Sequence, residues 1–145
     1  MATYCTQADL VSRYGEAELI QLTDRATPRA NAINPVPVTR ACEDATAIVD
    51  SYARTVVVVP LVAANAAVVL PYACDLARWL LHSHAHPEHV EHGYEAAMRF
   101  LRDLAAGKLA LPDMTPPGGS DGPAFGIAVS APPAVFTSAL LGAMP

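Results

Sequence analysis

The sequence predicts an all-α protein, a small antiparallel bundle of four to five helices with an extended, irregular C-terminal arm. Apolar residues recur at helical spacing over most of the first 112 residues. The links between these periodic segments are mostly short, which favours antiparallel neighbours. Most of the 13 prolines and 8 glycines lie outside the periodic segments, as expected where a helical core carries irregular excursions.

Two short helices are predicted at the start of the chain. Thr6 is a good N-cap for a helix over residues 7–14. Gly15 ends that helix, and a second one follows over residues 16–23. The segment 24–38 contains three prolines and has no helical periodicity, so we expect a loop there.

A third helix is predicted to begin after Thr39 and to end near Arg54, because apolar residues between them recur at helical spacing. An excursion follows over residues 55–69. It opens on the run Val56–Val59, and β-branched residues favour extended structure. We therefore expect an extended loop or a short β-hairpin in this part of the chain.

The fourth and fifth helices complete the predicted bundle. Pro71 suits the first turn of the fourth helix, which runs to about His84. Few polar residues interrupt this helix, so we expect it to be central and buried. The fifth helix starts near Glu88, has one apolar and one charged face, and ends before Gly107, a typical C-terminal stop signal.

The chain is thus divided into a helical domain over residues 1–112, with its loop or hairpin near 55–69, and a Pro/Gly-rich arm over residues 113–145. The arm has many apolar residues, which would form a sticky surface if all of them stayed in solvent. They either fold back on their own bundle or dock on another chain. The arm residues expected to dock are Phe125, Ile127, Val135, Phe136, Leu140 and Leu141.

Charge and cysteine content exclude several classes of protein. A net charge of -5 argues against a duplex-binding protein, which would show a basic patch. The three cysteines are far apart and form no CxxC pair, so we expect neither a disulfide framework nor a zinc knuckle. No secretory signal is seen, and the valine run is too short for a membrane span. We expect a soluble, cytosolic protein that does not associate with membranes.

All five histidines lie between His82 and His92. The pairs His82/His86 and His89/His92 have helical spacing that suits metal ligands, but Pro87 separates the two pairs and no HExxH motif is present. A solvated turn between helices and a metal site both remain open. No serine or cysteine lies in a nucleophile motif, and the glycine-rich segment 118–122 lacks the lysine of a phosphate-binding loop. We therefore expect neither enzyme activity nor a cofactor.

Arg78 lies in the otherwise apolar fourth helix, where an unpaired guanidinium would be costly. It either pairs with Asp75 in its own chain or faces a neighbouring subunit, since arginine is enriched at interfaces. The residues we expect at contacts between subunits are Arg54, Arg78, Arg99, Arg102, Val57 and Val59.

Four segments together resemble the Mu-like phage family of small neck proteins, which is related to head–tail connector (head-completion) proteins. They read YGEAELIQLTD over residues 14–24, ACDLAR over 73–78, GYEAAMRFLRDLAAGKL over 93–109 and VFT over 135–137. The match spans most of the chain, and it is the ordered set rather than any one segment that makes it specific.

The resemblance implies a structural, non-enzymatic subunit that assembles as a 12-mer ring at the head–tail interface of a tailed phage. Its partners would be the portal protein and a tail-side neck or terminator protein. Double-stranded DNA would pass through the ring without sequence-specific binding. The protein would be found in the virion neck, and in the host cytoplasm during assembly. The alternatives are a small metal-binding domain that uses the segment 82–92, and a phage-encoded regulatory interaction module.

Overall fold

The computed structural model describes residues 3–116, and in this range the chain forms five α-helices and no strand. The helices are α1 (Gln7–Tyr14), α2 (Glu16–Thr23), α3 (Pro35–Ala53), α4 (Ala63–Leu81) and α5 (Glu88–Ala105). The predicted all-α class is confirmed. The predicted docking residues of the arm lie outside the described residues; they are Phe125, Ile127, Val135, Phe136, Leu140 and Leu141.

The first two helices begin and end at the predicted residues. A capping box starts α1, since the Thr6 hydroxyl accepts from the Asp9 N–H at 3.3 Å and the Asp9 carboxylate accepts from the Thr6 N–H at 2.9 Å. Gly15 separates α1 from α2 with a φ of +90°, a conformation that glycine adopts easily. Local signals therefore determine this part of the fold.

Helix α3 begins earlier than predicted. Asn34 caps it, accepting a hydrogen bond from the Val36 N–H at 3.1 Å, whereas Thr39 lies inside the helix. Pro35 and Pro37 both fall in the first turn, where a missing N–H removes no intrahelical hydrogen bond. The prediction that these two prolines belong to a loop was wrong for this reason.

The predicted β-hairpin near residues 55–69 was also wrong, because α4 begins at Ala63. Its first turns are rich in alanine, the residue with the highest helix propensity. Pro71 therefore lies inside α4 rather than in its first turn, and α4 ends at Leu81 rather than near His84. What remains of the excursion is a loop over residues 54–62.

The core is centred on α3 and α4, which pack along each other. Helix α5 packs against both, and α1 and α2 also pack on this pair. The face that α4 buries combines small and larger apolar residues; these are Val69, Ala73, Cys74, Leu76, Ala77 and Leu81. Small side chains allow the neighbouring helices to approach closely, and the larger residues Leu10, Leu19, Leu101 and Leu104 fill the remaining space.

The three cysteines, which are far apart in sequence, converge in this core. All are buried and free, and the Cys5 thiol lies 3.8 Å from the Ala73 carbonyl oxygen. Contacts with the Cys42 and Cys74 thiols, together with burial, raise the pKa of Cys5. A thiol that stays protonated acts as a small apolar core residue with a weak donor.

Tyr4 connects the N-terminal segment to two other parts of the bundle. Its N–H donates to the Thr46 hydroxyl at 3.1 Å, and its own hydroxyl donates to Asp50 and accepts from the Leu61 N–H at 2.8 Å. Burial and the hydrogen bond to Asp50 raise the pKa of Tyr4 to about 12. One residue thus ties the N-terminus to α3 and to the loop 54–62.

We predict that Tyr4→Phe lowers the free energy of unfolding by about 1–3 kcal/mol, because the buried Leu61 N–H loses its acceptor. Urea denaturation measures the change. Tyr52→Phe is the matched control, since the Tyr52 hydroxyl makes no hydrogen bond within residues 3–116, and it should cost less than about 0.5 kcal/mol. Equal losses in the two variants would show that the Tyr4 hydroxyl does not hold the loop.

We also predict that the difference in unfolding free energy between the wild type and Tyr4→Phe depends on pH. The pKa of Tyr4 in the folded protein, about 12, lies above its ordinary value of 10.0. The contribution of its hydroxyl is therefore complete below pH 10 and is lost as the pH rises through the folded value. The stability difference between wild type and Tyr4→Phe should shrink between pH 10 and 12, and a difference that grows there would contradict the assignment.

Candidate functional site

The segment 111–116, which follows α5, runs back to the start of α4. The Asn65 side-chain amide donates to the Asp113 carbonyl at 2.6 Å, and the Asp113 N–H donates to the Asn65 side-chain oxygen at 2.9 Å. The Val58 N–H also donates to the Thr115 carbonyl at 3.0 Å. Asn65 is only 2% exposed, so this two-way clamp satisfies a buried amide. The predicted arm thus begins with residues that hydrogen-bond to the bundle.

This arrangement leaves a group of apolar side chains in solvent. Val58, Val62 and Met114 are 46%, 47% and 40% exposed. Val58 and Val62 line a cavity of about 150 Å³; its other lining residues are Val57, Pro60, Asn65, Asp113 and Thr115. We call the three residues Val58, Pro60 and Val62 the apolar edge; the Met114 sulfur instead accepts from the Leu111 N–H at 3.3 Å. Exposed apolar groups that lie together often mark a site of contact with another molecule.

The apolar edge differs from the valines named from the sequence. Val57 is 1% exposed and lies in the core of its own protomer, and Val59 is half-buried against that core. Their side chains therefore point inward, while Val58 and Val62 point outward. The sequence did not predict the roles of Val58, Val62 and the clamp residue Asn65 at this site. The burial of Leu61 sets which side of this loop faces inward, and no local sequence signal shows that burial.

Arg78 is paired within its own protomer, although its partner is not Asp75. Its guanidinium makes two hydrogen bonds to the Glu18 carboxylate, at 2.6 and 2.8 Å, so α4 is bound to α2. The guanidinium also lies 4.3 Å from the centre of the Tyr14 ring, a cation–π distance. One of its nitrogens is 3.0 Å from His89 on α5. Arg78 thus contacts side chains of α1, α2 and α5 within one chain.

Asp75 completes this network on the same side of α4. Its carboxylate accepts from the Tyr14 hydroxyl at 2.7 Å, and burial together with this hydrogen bond raises the pKa of Tyr14. A Cβ atom added to Gly93 would lie 3.2 Å from the Asp75 carboxylate, so α5 approaches α4 closely here. Three of the four segments that carry the family resemblance therefore meet in one network, which holds the fold.

Three of the histidines, His82, His86 and His89, stack or hydrogen-bond within the bundle. Within residues 3–116, no three His, Cys, Asp or Glu side chains have the geometry of a metal site. His86 stacks on Trp79 at 4.5 Å, and Trp79 stacks on Tyr94 at 4.3 Å. His82 hydrogen-bonds to the Arg78 carbonyl at 2.9 Å. The described geometry does not favour the metal-binding alternative.

The remaining predicted contact arginines lie on the surface. Arg54, at the end of α3, donates to the Asp50 carbonyl at 3.2 Å. Arg99 and Arg102 are exposed on α5 beside an open concavity of about 440 Å³. No carboxylate of residues 3–116 lies within 4 Å of these three guanidinium groups. Their role in contacts between subunits stays a prediction.

Within residues 3–116, no helix has the length and apolarity that crossing a bilayer requires.

We predict that Arg78→Met lowers the free energy of unfolding by about 2–3 kcal/mol, because it leaves the Glu18 carboxylate partly buried without its cation. The control is Lys108→Ala, which removes an ion pair whose side chains are 71% and 37% exposed; such pairs contribute less than about 1 kcal/mol. Thermal and urea denaturation measure both changes. A loss no larger than that of the control would mean that the network does not hold the bundle.

Comparison with known proteins identifies the family. The family model described as "Bacteriophage Mu, Gp36" matches residues 4–123. The "Mu-like prophage FluMu protein gp36" of Haemophilus influenzae is 31% identical over 111 residues, which cover 77% of each chain. The matched residues contain all five helices, the Arg78 network and the apolar edge. The chain belongs to the Bacteriophage Mu Gp36 family and is a Mu-like phage protein.

Proposed function

We propose that this protein is a structural, non-enzymatic subunit of a tailed-phage neck. It would form a head–tail connector ring between the portal protein and the tail-side neck or terminator protein. The observation that carries the proposal is the position of the apolar edge at the start of an apolar arm, in a chain of a phage protein family. A subunit with such a surface and such a segment is suited to assembly with neighbours.

The hydrogen bonds and ion pairs of the described residues support a structural role for this protein. The buried or half-buried polar side chains are used to join helices, as in the bond from Tyr14 to Asp75 and the pair of Arg78 with Glu18. Tyr4 and Asn65 likewise connect distant segments of the backbone. These groups satisfy one another, which rigidifies the bundle. A rigid bundle presents a fixed surface to its partners.

A closed ring places a specific demand on each subunit. Successive copies in a ring meet head to tail, so each copy needs two different surfaces that complement each other. An apolar arm and an apolar edge meet this demand, and the exposed residues Arg54, Arg99 and Arg102 would add polar contacts at the rim. Such an arrangement supports a closed ring, for which we propose twelve copies.

The charge of the chain suits a DNA channel. The net charge is -5, and phosphate binding by proteins depends on clustered lysine and arginine. Double-stranded DNA would therefore pass through the ring without sequence-specific binding. The proposed location is the virion neck, after assembly in the host cytoplasm.

Deletion of the gene tests the proposal in phage-producing cells. We expect filled heads and free tails to accumulate separately, with joined particles restored by a plasmid copy. The protein itself should be found by mass spectrometry in purified tailed particles. A deletion that leaves the yield of infectious tailed particles unchanged would contradict the connector function.

Truncation tests the part played by the arm. We expect a chain that ends at Pro116 to keep the helical circular-dichroism signal of the full chain, because residues 113–115 and their hydrogen bonds to the bundle are retained. The same chain should fail to restore joined particles, since residues 117–145 are missing. Restoration of joined particles at the level of the full chain would show that the arm is dispensable for assembly.

A further inference from the structure

We propose that the apolar edge of one copy receives residues 133–141 from the arm of a neighbouring copy. This inference rests on the proposed connector function and names the surface that the arm would use. The receiving side is built from described residues, and the incoming segment is defined by its sequence. The contact would join successive subunits of the ring.

The walls of the receiving cavity favour an apolar occupant. Asn65 and Asp113 line it, but the Asn65 amide and the Asp113 backbone are engaged with each other. The Thr115 hydroxyl, which also lines the cavity, donates to the Asp113 carboxylate at 2.9 Å. The other lining side chains are apolar; they are those of Val57, Val58, Pro60 and Val62. The volume, about 150 Å³, matches an engineered apolar cavity that accepts a benzene ring. A phenyl side chain is therefore a suitable occupant.

The sequence of the arm supplies an occupant of this kind. Residues 117–145 have a single charged side chain, Asp121, so the segment suits an apolar surface better than the charged face of α5. Residues 133–141 read PAVFTSALL and contain one aromatic residue, Phe136. Phe136 is the side chain that we assign to the cavity, with Val135 and Leu140 over the rest of the apolar edge.

The starting point and the length of the arm fit a contact between copies. The clamp of Asn65 on Asp113 places the start of the arm beside the apolar edge. Residues 117–132 then connect this start to the docking segment, and a linker of that length spans at most roughly 55 Å. That reach is enough to cross to an adjacent bundle, whose long helices of 18–19 residues are about 28 Å in length.

Photo-cross-linking within phage particles tests the occupant. Val62 is replaced by p-benzoylphenylalanine in a copy that also carries Met144→Leu, which changes the mass of its arm. This copy is expressed together with the wild-type chain. No Lys or Arg follows Lys108, so trypsin releases the arm as one fragment, and its mass shows which copy it came from.

We expect the probe at position 62 to cross-link within residues 133–141 of wild-type arms as well as arms that carry the Met144→Leu mass label. Cross-links to mass-labelled arms alone would mean docking within one protomer and would overturn the proposal. Cross-links to another protein, or outside residues 133–141, would overturn it too. A probe in place of Val36, which is 72% exposed on α3, is the control and should not reach the arm.

A pair of matched substitutions measures the effect on assembly. Val62 is the N-cap of α4, and Val36 lies in the first turn of α3. Aspartate is favourable for helix stability at both places. Val62→Asp should therefore fold normally but lower the yield of infectious particles by about tenfold or more, the change produced when a single contact of moderate strength is lost. Val36→Asp should stay within about twofold of wild type by the same scale.

The outcomes separate this inference from the proposed function. If particles contain the protein and the Val62→Asp yield equals that of wild type, the docking surface is wrong while the connector function stands. If the protein is missing from particles and its deletion has no effect, the connector function itself fails.

Discussion

The fold depends on one side of α4, where Asp75 and Arg78 bind side chains from α1, α2 and α5. A partly buried ion pair adds little net stability compared with apolar packing, yet removing one partner is costly. Its main consequence is therefore geometric. Tyr14, Glu18 and the close approach at Gly93 can be satisfied together only when the helices share one register. Three of the segments that resemble the phage family meet at this point. The residues that carry the resemblance are therefore residues that hold the helices together.

The sequence predicts best the parts of this fold that local chemistry determines. The capping box at Thr6, the turn at Gly15 and the stop before Gly107 are all short-range signals, and the structure contains each of them. The predicted starts of α3 and α4 were wrong because a proline can lie either in the first turn of a helix or inside it. At Pro35 it opens a helix, and at Pro71 it is accepted inside one, since the packing of α4 in the core outweighs a missing hydrogen bond.

Contacts between distant residues explain why the candidate site was only partly predicted. The pairing of Arg78 with Glu18 spans 60 residues, and the clamp of Asn65 on Asp113 spans 48. Residues so far apart in the chain produce no periodic pattern in the sequence from which their pairing could be predicted. The sequence did indicate that the valine run and the arm would matter, but the inward side of the loop depends on the Tyr4 hydroxyl, which holds the Leu61 backbone. The exposed valines of this loop are consequently Val58 and Val62.

These observations describe a protein whose helices are joined by paired polar side chains and in which two exposed valines, Val58 and Val62, lie where the arm begins. A reconstruction of the neck in an intact phage particle, at a resolution that shows side chains, tests this account most directly. The account predicts copies of the five-helix bundle in a ring between head and tail, with Phe136 of each arm seated between Val58 and Val62 of the next copy. A neck in which each arm packs wholly on its own bundle, or which lacks this chain, would contradict it.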